Sequence, residues 1–260
     1  WALALSEAIR VGYLDRAAQE DWDDALRLTS EEWADQRDDL MRLQESAGGS
    51  GREGAPAPLG TESGHTSHLS AADGDGMMVA LTQSLGPNMG SRVASPGLGF
   101  LYAATLGGYL GRLEPGERAR SHISPLMVEG DDSFLLALGA AGGGRIPTAI
   151  VAVVSRIVDR GMTLQAALAA PRVVPEAGPA ATSAEGGQME AELEAVPGLG
   201  FGPSTADFFL RHGYGVERVE EAGAFGRVHA VLWHPEEGVW EGGADPDWEG
   251  AVAVPRGDVR

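Results

Sequence analysis

Gly64-His65-Thr66-Ser67-His68-Leu69-Ser70-Ala71-Ala72-Asp73-Gly74-Asp75-Gly76-Met77-Met78-Val79-Ala80-Leu81-Thr82-Gln83-Ser84 is the stretch on which the reading of this chain turns. Hydroxyls and imidazoles open it, and alternating residues follow, with Leu69 and Ala71 on one face and Ser70 and Ala72 on the other. Aspartate-glycine steps at Asp73 to Gly76 separate this run from a second extended run, Met77 to Ser84, which is a strong short-range hairpin signal. A strand is therefore expected to start within a residue or two of Thr66. On pattern alone, Thr66-Ser67-His68 is a polar strand edge. The same placement serves a nucleophile if the peptide before Thr66 is cut, because the hydroxyl then heads a buried strand.

Upstream, Ser46 to Gly64 is rich in Gly, Ser, Pro and Ala and has no periodicity, so it reads as a flexible tether. An interdomain linker and a processing loop fit this composition equally. The position directly before Thr66 favours the second. Residues 1–18 carry Leu3, Leu5, Ile9, Tyr13 and Leu14 at near-helical spacing. Thr29 with Glu32 reads as a capping box opening a second helix through Trp33, Leu40, Met41 and Leu43. The chain begins at Trp1 inside a helical pattern and reads as a fragment of a longer protein.

Downstream, Leu126 to Val128 and Phe134 to Leu138 form a second expected hairpin around Gly130-Asp131-Asp132. Gly142-Gly143-Gly144 leads into an expected helix from Ile146 to Arg160. Its positions Ile146, Ile150, Val151, Val154, Ile157 and Val158 are assigned to a sheet-facing side, with Gly161 as the C′ residue. Thr163 caps a short helix that stops before Pro171, and Ser204 with Asp207 starts another ending by Gly213. Val216 to Val219, Val228 to Trp233 and Val239 to Glu241 are read as strands of one antiparallel set.

The 260 residues suffice for a substantial core. Net charge is −19, from 38 acidic against 19 basic residues, which disfavours nucleic acid and anionic membrane as partners. All the basic residues are Arg, and the lack of Lys excludes Schiff-base chemistry. With no Cys, disulfides, thiolate metal sites and cysteine nucleophiles are excluded together. No apolar run approaches the length of a membrane span, and no phosphate loop or zinc motif occurs, so no cofactor is expected. His68 and His122 have no metal-ligand partner at suitable spacing and are read as hydrogen-bonding in the fold.

Thr66-Ser67-His68-Leu69-Ser70 with Asp73-x-x-Gly76 resembles the start of the small subunit of the γ-glutamyltransferase family. Gly90-Ser91, Val93-x-Ser95-Pro96-Gly97, Ser121-x-x-Ser124-Pro125 and Gly139-x-x-Gly142-Gly143-Gly144-Arg145-Ile146 follow in the same order. Ala169-Ala170-Pro171-Arg172 and Gly242-Gly243-Ala244-Asp245-Pro246 complete the series. The resemblance implies an α+β protein of the N-terminal-nucleophile type, a four-layer αββα sandwich. Residues 1–45 would be the closing helices of a large-subunit part, 46–65 the processing linker, and 66–260 the catalytic small-subunit part.

It further implies self-cleavage between His65 and Thr66, after which Thr66 is the nucleophile and its own amine the base. Gly142 and Gly143 match the oxyanion-hole pair, and Ser84 stands where a threonine hydroxyl bonds the nucleophile. Implied partners are a small-molecule acyl donor, water or an amine as acceptor, and the missing large-subunit half. Compartment is not legible in the composition; family analogy implies periplasm or secretion, with the cytoplasm as the alternative.

The substrate side departs from the pattern. Gly86 replaces a polar residue, Thr105 and Gly108 replace the glutamine or glutamate and the aspartate that hold the substrate ammonium, and His122 replaces one of a serine pair whose other member is Ser121. A buried ammonium needs a compensating charge or several acceptors. The expectation is an enzyme that keeps its nucleophile and has lost its glutamyl clamp, acting on glutathione-like donors only weakly, or on other acyl amides as cephalosporin-acylase-like relatives do. The alternative from another class is a non-catalytic homologue.

Overall fold

Asp73 makes the first hairpin: its Oδ1 accepts from the backbone N–H of Asp75 (3.0 Å) and Met77 (2.9 Å), while Gly76 takes a left-handed φ of 90°. The computed structural model describes residues 1–19, 22–41, 66–86, 89–105, 114–116, 121–130, 134–175 and 189–254. The tether at 46–65, including His65, lies outside the described residues, as does Gly108. The elements begin with three helices, α1 (Ala2–Ala18), α2 (Trp22–Leu28) and α3 (Glu31–Met41), followed by strands β1 (Thr66–Ala72), β2 (Met78–Ser84), β3 (Leu126–Glu129) and β4 (Leu135–Ala141). Next come α4 (Ile146–Val158), α5 (Leu164–Ala169), β5 (Val173–Pro175) and β6 (Met189–Glu194). The last are α6 (Pro203–Arg211), β7 (Tyr214–Val219), β8 (Arg227–His234) and β9 (Val239–Ala244). The protein mixes helices and strands as expected. Two compact units divide the chain: Trp1–Leu59 with Pro171–Glu221, and Gly60–Ala170 with Ala222–Arg260.

In the second unit, β3-β4-β8-β9 form an antiparallel sheet in that order. The β1–β2 hairpin packs on β4 and β8. Strand β4 explains how one sheet serves two neighbours. Its residues Leu136, Leu138 and Ala140 are fully buried in a core with Ile146, Ile150, Val153, Ile157, Leu164 and Leu168 of α4 and α5. The alternate positions Ala137, Gly139 and Ala141 are small, and the Gly139 position abuts His68 of the hairpin. Helix α4 ends at Val158, two residues before the expected Arg160, and Gly161 beyond it is left-handed at φ 61°, its N–H bonding the Ile157 carbonyl. Its buried side differs from the sequence assignment. Val151 and Val158 are exposed, and Ala149, Ala152 and Val153 are buried in their place. A Cβ at Gly243 would lie 2.5 Å from Leu168 Cδ1 of α5, so the leucine side chains of α5 would have to shift to admit one.

In the first unit, β5-β6-β7 form a three-stranded sheet with β6 and β7 parallel. The expected single antiparallel set is therefore corrected: β7 belongs to a different sheet from β8 and β9, together with β5 and β6, for which the sequence pattern gives no strand. Leu3 of α1 packs with Val173, Leu193, Phe209 and Tyr214. Buried Tyr214 donates its hydroxyl to Glu7, which also pairs with Arg10 at 2.7 Å. Two helix starts are also corrected. Ser30, not Thr29, caps α3, its Oγ accepting from Trp33 N–H at 3.2 Å. The sixth helix opens at Pro203 after Gly202 rather than at Ser204.

Candidate active site

Thr66 opens β1 on the side that faces the four-stranded sheet. Register pairs it with Ser84, the last residue of β2, and the two hydroxyls meet, Thr66 Oγ1 donating to Ser84 Oγ at 3.0 Å. Ser84 Oγ also accepts from Gly86 N–H at 3.0 Å. Both Ser84 lone pairs are thus committed, and the nucleophile candidate has one fixed hydroxyl direction.

His68, two residues along the same face, fills the space between the hairpin and the sheet. Its Nδ1 lies 2.7 Å from Thr82 Oγ1 and its Nε2 lies 2.8 Å from Ser70 Oγ. Ser70 Oγ in turn donates to the His229 carbonyl at 3.3 Å. Burial, reinforced by the neighbouring His229, pushes the His68 imidazole down to about 4, so it is neutral at physiological pH. This agrees with the hydrogen-bonding reading of His68. No group of metal-ligating side chains occurs among the described residues.

Strand β4 runs from Gly139 into the turn Gly142-Gly143. Gly142 has φ 143° and Gly143 φ 58°, and a Cβ on Gly142 would stand 2.8 Å from Gly226 Cα. Only glycine meets both demands at Gly142. The turn passes through a short 3-10 segment, Gly143–Arg145, into the first turn of α4, where the helix dipole favours negative charge. Arg145 is buried and donates to the Ala224 carbonyl at 2.8 Å, its guanidinium over the Phe225 ring. The arginine of the Gly-Gly-Gly-Arg run therefore anchors the turn to the segment that enters β8.

The candidate substrate residues lie in loops. Gly86 is left-handed at φ 82°, and a Cβ there would come within 3.0 Å of the Ala104 carbonyl oxygen. Any side chain at this position would be strained and crowded against that carbonyl. Thr105 follows Ala104, whose N–H bonds the Leu85 carbonyl at 2.8 Å, so this loop returns to the end of β2. The Gly90-Ser91 and Ser95-Pro96-Gly97 runs fold this loop. Ser91 N–H and Oγ both bond the Tyr102 carbonyl, Ser95 N–H bonds Phe100, and Gly90 sits where a Cβ would be 2.6 Å from Tyr102 O. Ser121 Oγ accepts from Ile123 N–H at 3.1 Å, and Ser124 donates to the His122 carbonyl at 3.0 Å. These two bonds shape the segment that enters β3. Asp245 of the last run closes β8 and β9, its Oδ2 accepting from Val228 N–H at 3.1 Å.

Sequence reasoning missed two parts of this site, the fit of His68 on Gly139 and the support of the glycine turn by Gly226. The parity of Thr66 and His68 on one strand was the available signal for the first.

The family model for gamma-glutamyltranspeptidase matches residues 2–254. The chain belongs to the gamma-glutamyltranspeptidase family. It is 30% identical over 245 residues to the acylase ACY 1 proenzyme of Pseudomonas sp. (strain V22), covering 89% of this chain and 40% of that protein. It is 37% identical over 130 residues to the glutathione hydrolase proenzyme of Pseudomonas aeruginosa, covering 44% of this chain and 23% of that one. Among solved structures, cephalosporin acylase from Bacillus halodurans superposes with a TM-score of 0.70 at 26% identity, over 98% of this chain and 45% of that chain. The chain spans about two fifths of the length of the curated acylase relative it matches.

Proposed function

We propose that this gamma-glutamyltranspeptidase-family chain is the catalytic part of an N-terminal-threonine amidohydrolase or acyltransferase that matures by cutting itself between His65 and Thr66. The observation that carries the reading is the Thr66 hydroxyl, held by Ser84 at 3.0 Å at the head of a strand packed on β4. That strand runs directly into the Gly142-Gly143 turn. In maturation, Thr66 Oγ attacks the His65 carbonyl carbon, the peptide bond to Thr66 N breaks, and the acyl group moves from nitrogen to oxygen. Water then opens the ester, leaving a carboxylate on His65 and a free amine and hydroxyl on Thr66.

An amide nitrogen is no base, whereas an α-amine with a pKa of about 7.7–8.0 is partly neutral near pH 7. The released amine therefore takes the Thr66 hydroxyl proton as the oxygen attacks the substrate carbonyl. Gly142 and Gly143 N–H groups hold the oxyanion, each worth about 3–4 kcal/mol. The amine leaves with the proton, and water or an amine acceptor resolves the acyl-threonine.

On the substrate side, Thr105, Ser121 and His122 stand at the positions of the family's glutamyl clamp without its carboxylate. With an acylase proenzyme among the relatives matched over most of this chain, this favours an acyl amide that lacks a free α-ammonium. In the whole protein, the open apolar face of the hairpin, with Leu69 57%, Val79 44% and Leu81 47% exposed, is where an outer helical layer of the αββα sandwich lies. The upstream half of the precursor supplies that layer. The test is kcat/KM of the mature full-length enzyme for a glutaryl anilide against a γ-glutamyl anilide, which differ only in the α-amino group. Losing the partner of a buried charge costs about 3–5 kcal/mol, so the glutaryl compound is expected to win by two decades or more. A clear preference for the γ-glutamyl compound refutes the substrate assignment. Inertness towards both in well-folded protein leaves the non-catalytic reading.

A further inference from the structure

The inner face of the hairpin is an unusual choice for a buried surface. Thr66, His68, Ser70, Thr82 and Ser84 point towards the sheet, while Leu69, Val79 and Leu81 point away. The hydrophobic effect alone would turn the hairpin over. What the polar face gains is a defined seat.

A Cβ built on Gly139 would lie 2.4 Å from both Nδ1 and Cε1 of His68. The imidazole therefore occupies the volume that any side chain at position 139 would fill. Gly139 is the cross-strand partner of His229, so the ring sits over a gap in β4 beside a second imidazole. It cannot swing out freely, because its two nitrogens engage Thr82 of the paired strand and Ser70 of its own at 2.7 and 2.8 Å. Thr82, the register partner of His68, is itself buried.

We propose that His68 is a positioning residue for the reaction at Thr66: seated on Gly139, its imidazole fixes where the nucleophile strand lies along the strand that ends in the Gly142-Gly143 turn. This rests on the reading of Thr66 as nucleophile and of the glycine turn as its oxyanion site. Two residues separate the seat from Thr66 on β1, and three separate it from Gly142 on β4. At about 3.3 Å per residue, a shift at the seat passes almost undiminished to the reacting groups. A misplacement of about 1 Å can cost a hundredfold in rate. The first glycine of Gly139-x-x-Gly142-Gly143 thereby has its own role, as the socket for the histidine two residues after the nucleophile.

The experiment is a double-mutant cycle in the full-length protein, reading the rate of self-cleavage and then kcat and KM for the preferred anilide. Gly139→Ala, which drives a methyl group into the ring, is expected to lower kcat and the cleavage rate by about tenfold to a hundredfold with KM little changed. His68→Ala should do likewise, and His68→Asn, which can still bond Thr82, should recover part of the loss. The decisive variant is Gly139→Ala/His68→Ala. With the ring gone the methyl group meets nothing, so the double variant should be no slower than His68→Ala alone. Losses that multiply in the double variant overturn the proposal, as does an unchanged kcat in His68→Ala. If Gly139→Ala fails to fold, the double variant still decides, because it should fold. A wild-type protein that never cleaves and never turns over either anilide instead removes the reading of Thr66, and the positioning role with it.

Discussion

The two faces of β4 solve different problems. Towards α4 and α5 it presents Leu136, Leu138 and Ala140 to an apolar core. Towards the hairpin it presents Ala137, Gly139 and Ala141, against a strand pair whose inner side chains are mostly hydroxyls and one imidazole. The first interface stabilises through area removed from water and tolerates rearrangement, since apolar contact is non-directional. The second has little apolar area to bury, and its hydrogen bonds and close contacts allow one arrangement only. The proposed chemistry, a nucleophile held opposite an oxyanion site, needs both: one side for stability, the other for register. Substitutions on the helix side should therefore cost stability and spare the chemistry of each folded molecule. Those on the hairpin side should cost the proposed chemistry more than the stability.

The largest effect is expected at Gly142. Alanine there meets a left-handed φ of 143° and a contact of 2.8 Å with Gly226 Cα, which displaces the N–H proposed to hold the oxyanion, worth about 3–4 kcal/mol. Turnover and self-cleavage should fall by about a hundredfold to a thousandfold, measured by single-turnover kinetics. Leu138→Ala probes the other face. This fully buried side chain should cost about 2–5 kcal/mol in denaturant unfolding, with kcat of the remaining folded enzyme close to wild type. A Leu138 variant that stays stable but loses kcat breaks the division between the faces.

Ser84→Ala is a smaller perturbation. It removes the acceptor of Thr66 Oγ1 and leaves Gly86 N–H without its 3.0 Å partner, a loss of about 1–3 kcal/mol. Cleavage should slow by about tenfold to a hundredfold, and Ser84→Thr should be close to wild type. The least effect is a pH dependence. His68 is held at about 4 against an ordinary 6.5, so the unfolded chain binds more protons than the folded one between those values. Stability is then complete above pH 6.5 and declines as pH falls towards 4. Half-buried His229, also lowered by its burial, acts in the same sense. Chemical unfolding at pH 7 and pH 5 should show the decline, and His68→Asn should flatten it.

Much of this was legible in the residues themselves. Asp73 to Gly76 specified a turn chemically, and Gly161 ended α4 for the reason a C′ glycine does. Where pattern failed, partner choice was at stake. Val151 and Val158 are as apolar as Val153, and only the direction of the sheet decides which are buried. Strand β7 shows extended residues but not that its neighbour is β6, in parallel. Thr29 and Ser30 are both good caps, and the chain turn after α2 selects the second. In the candidate site, Thr66, Ser84 and the glycine turn were singled out through resemblance, and the Thr66–Ser84 hydrogen bond follows that pairing. The seat of His68 on Gly139 was not, because a glycine names no partner until two strands are laid together.

The most direct measurement is the intact mass of the purified full-length protein, with N-terminal sequencing of its fragments. Wild type should yield a fragment beginning at Thr66, and Thr66→Ala should remain a single uncut chain of the same fold. A wild-type protein that is well folded yet stays uncut, or that is cut elsewhere, would contradict the claim that Thr66 is the nucleophile.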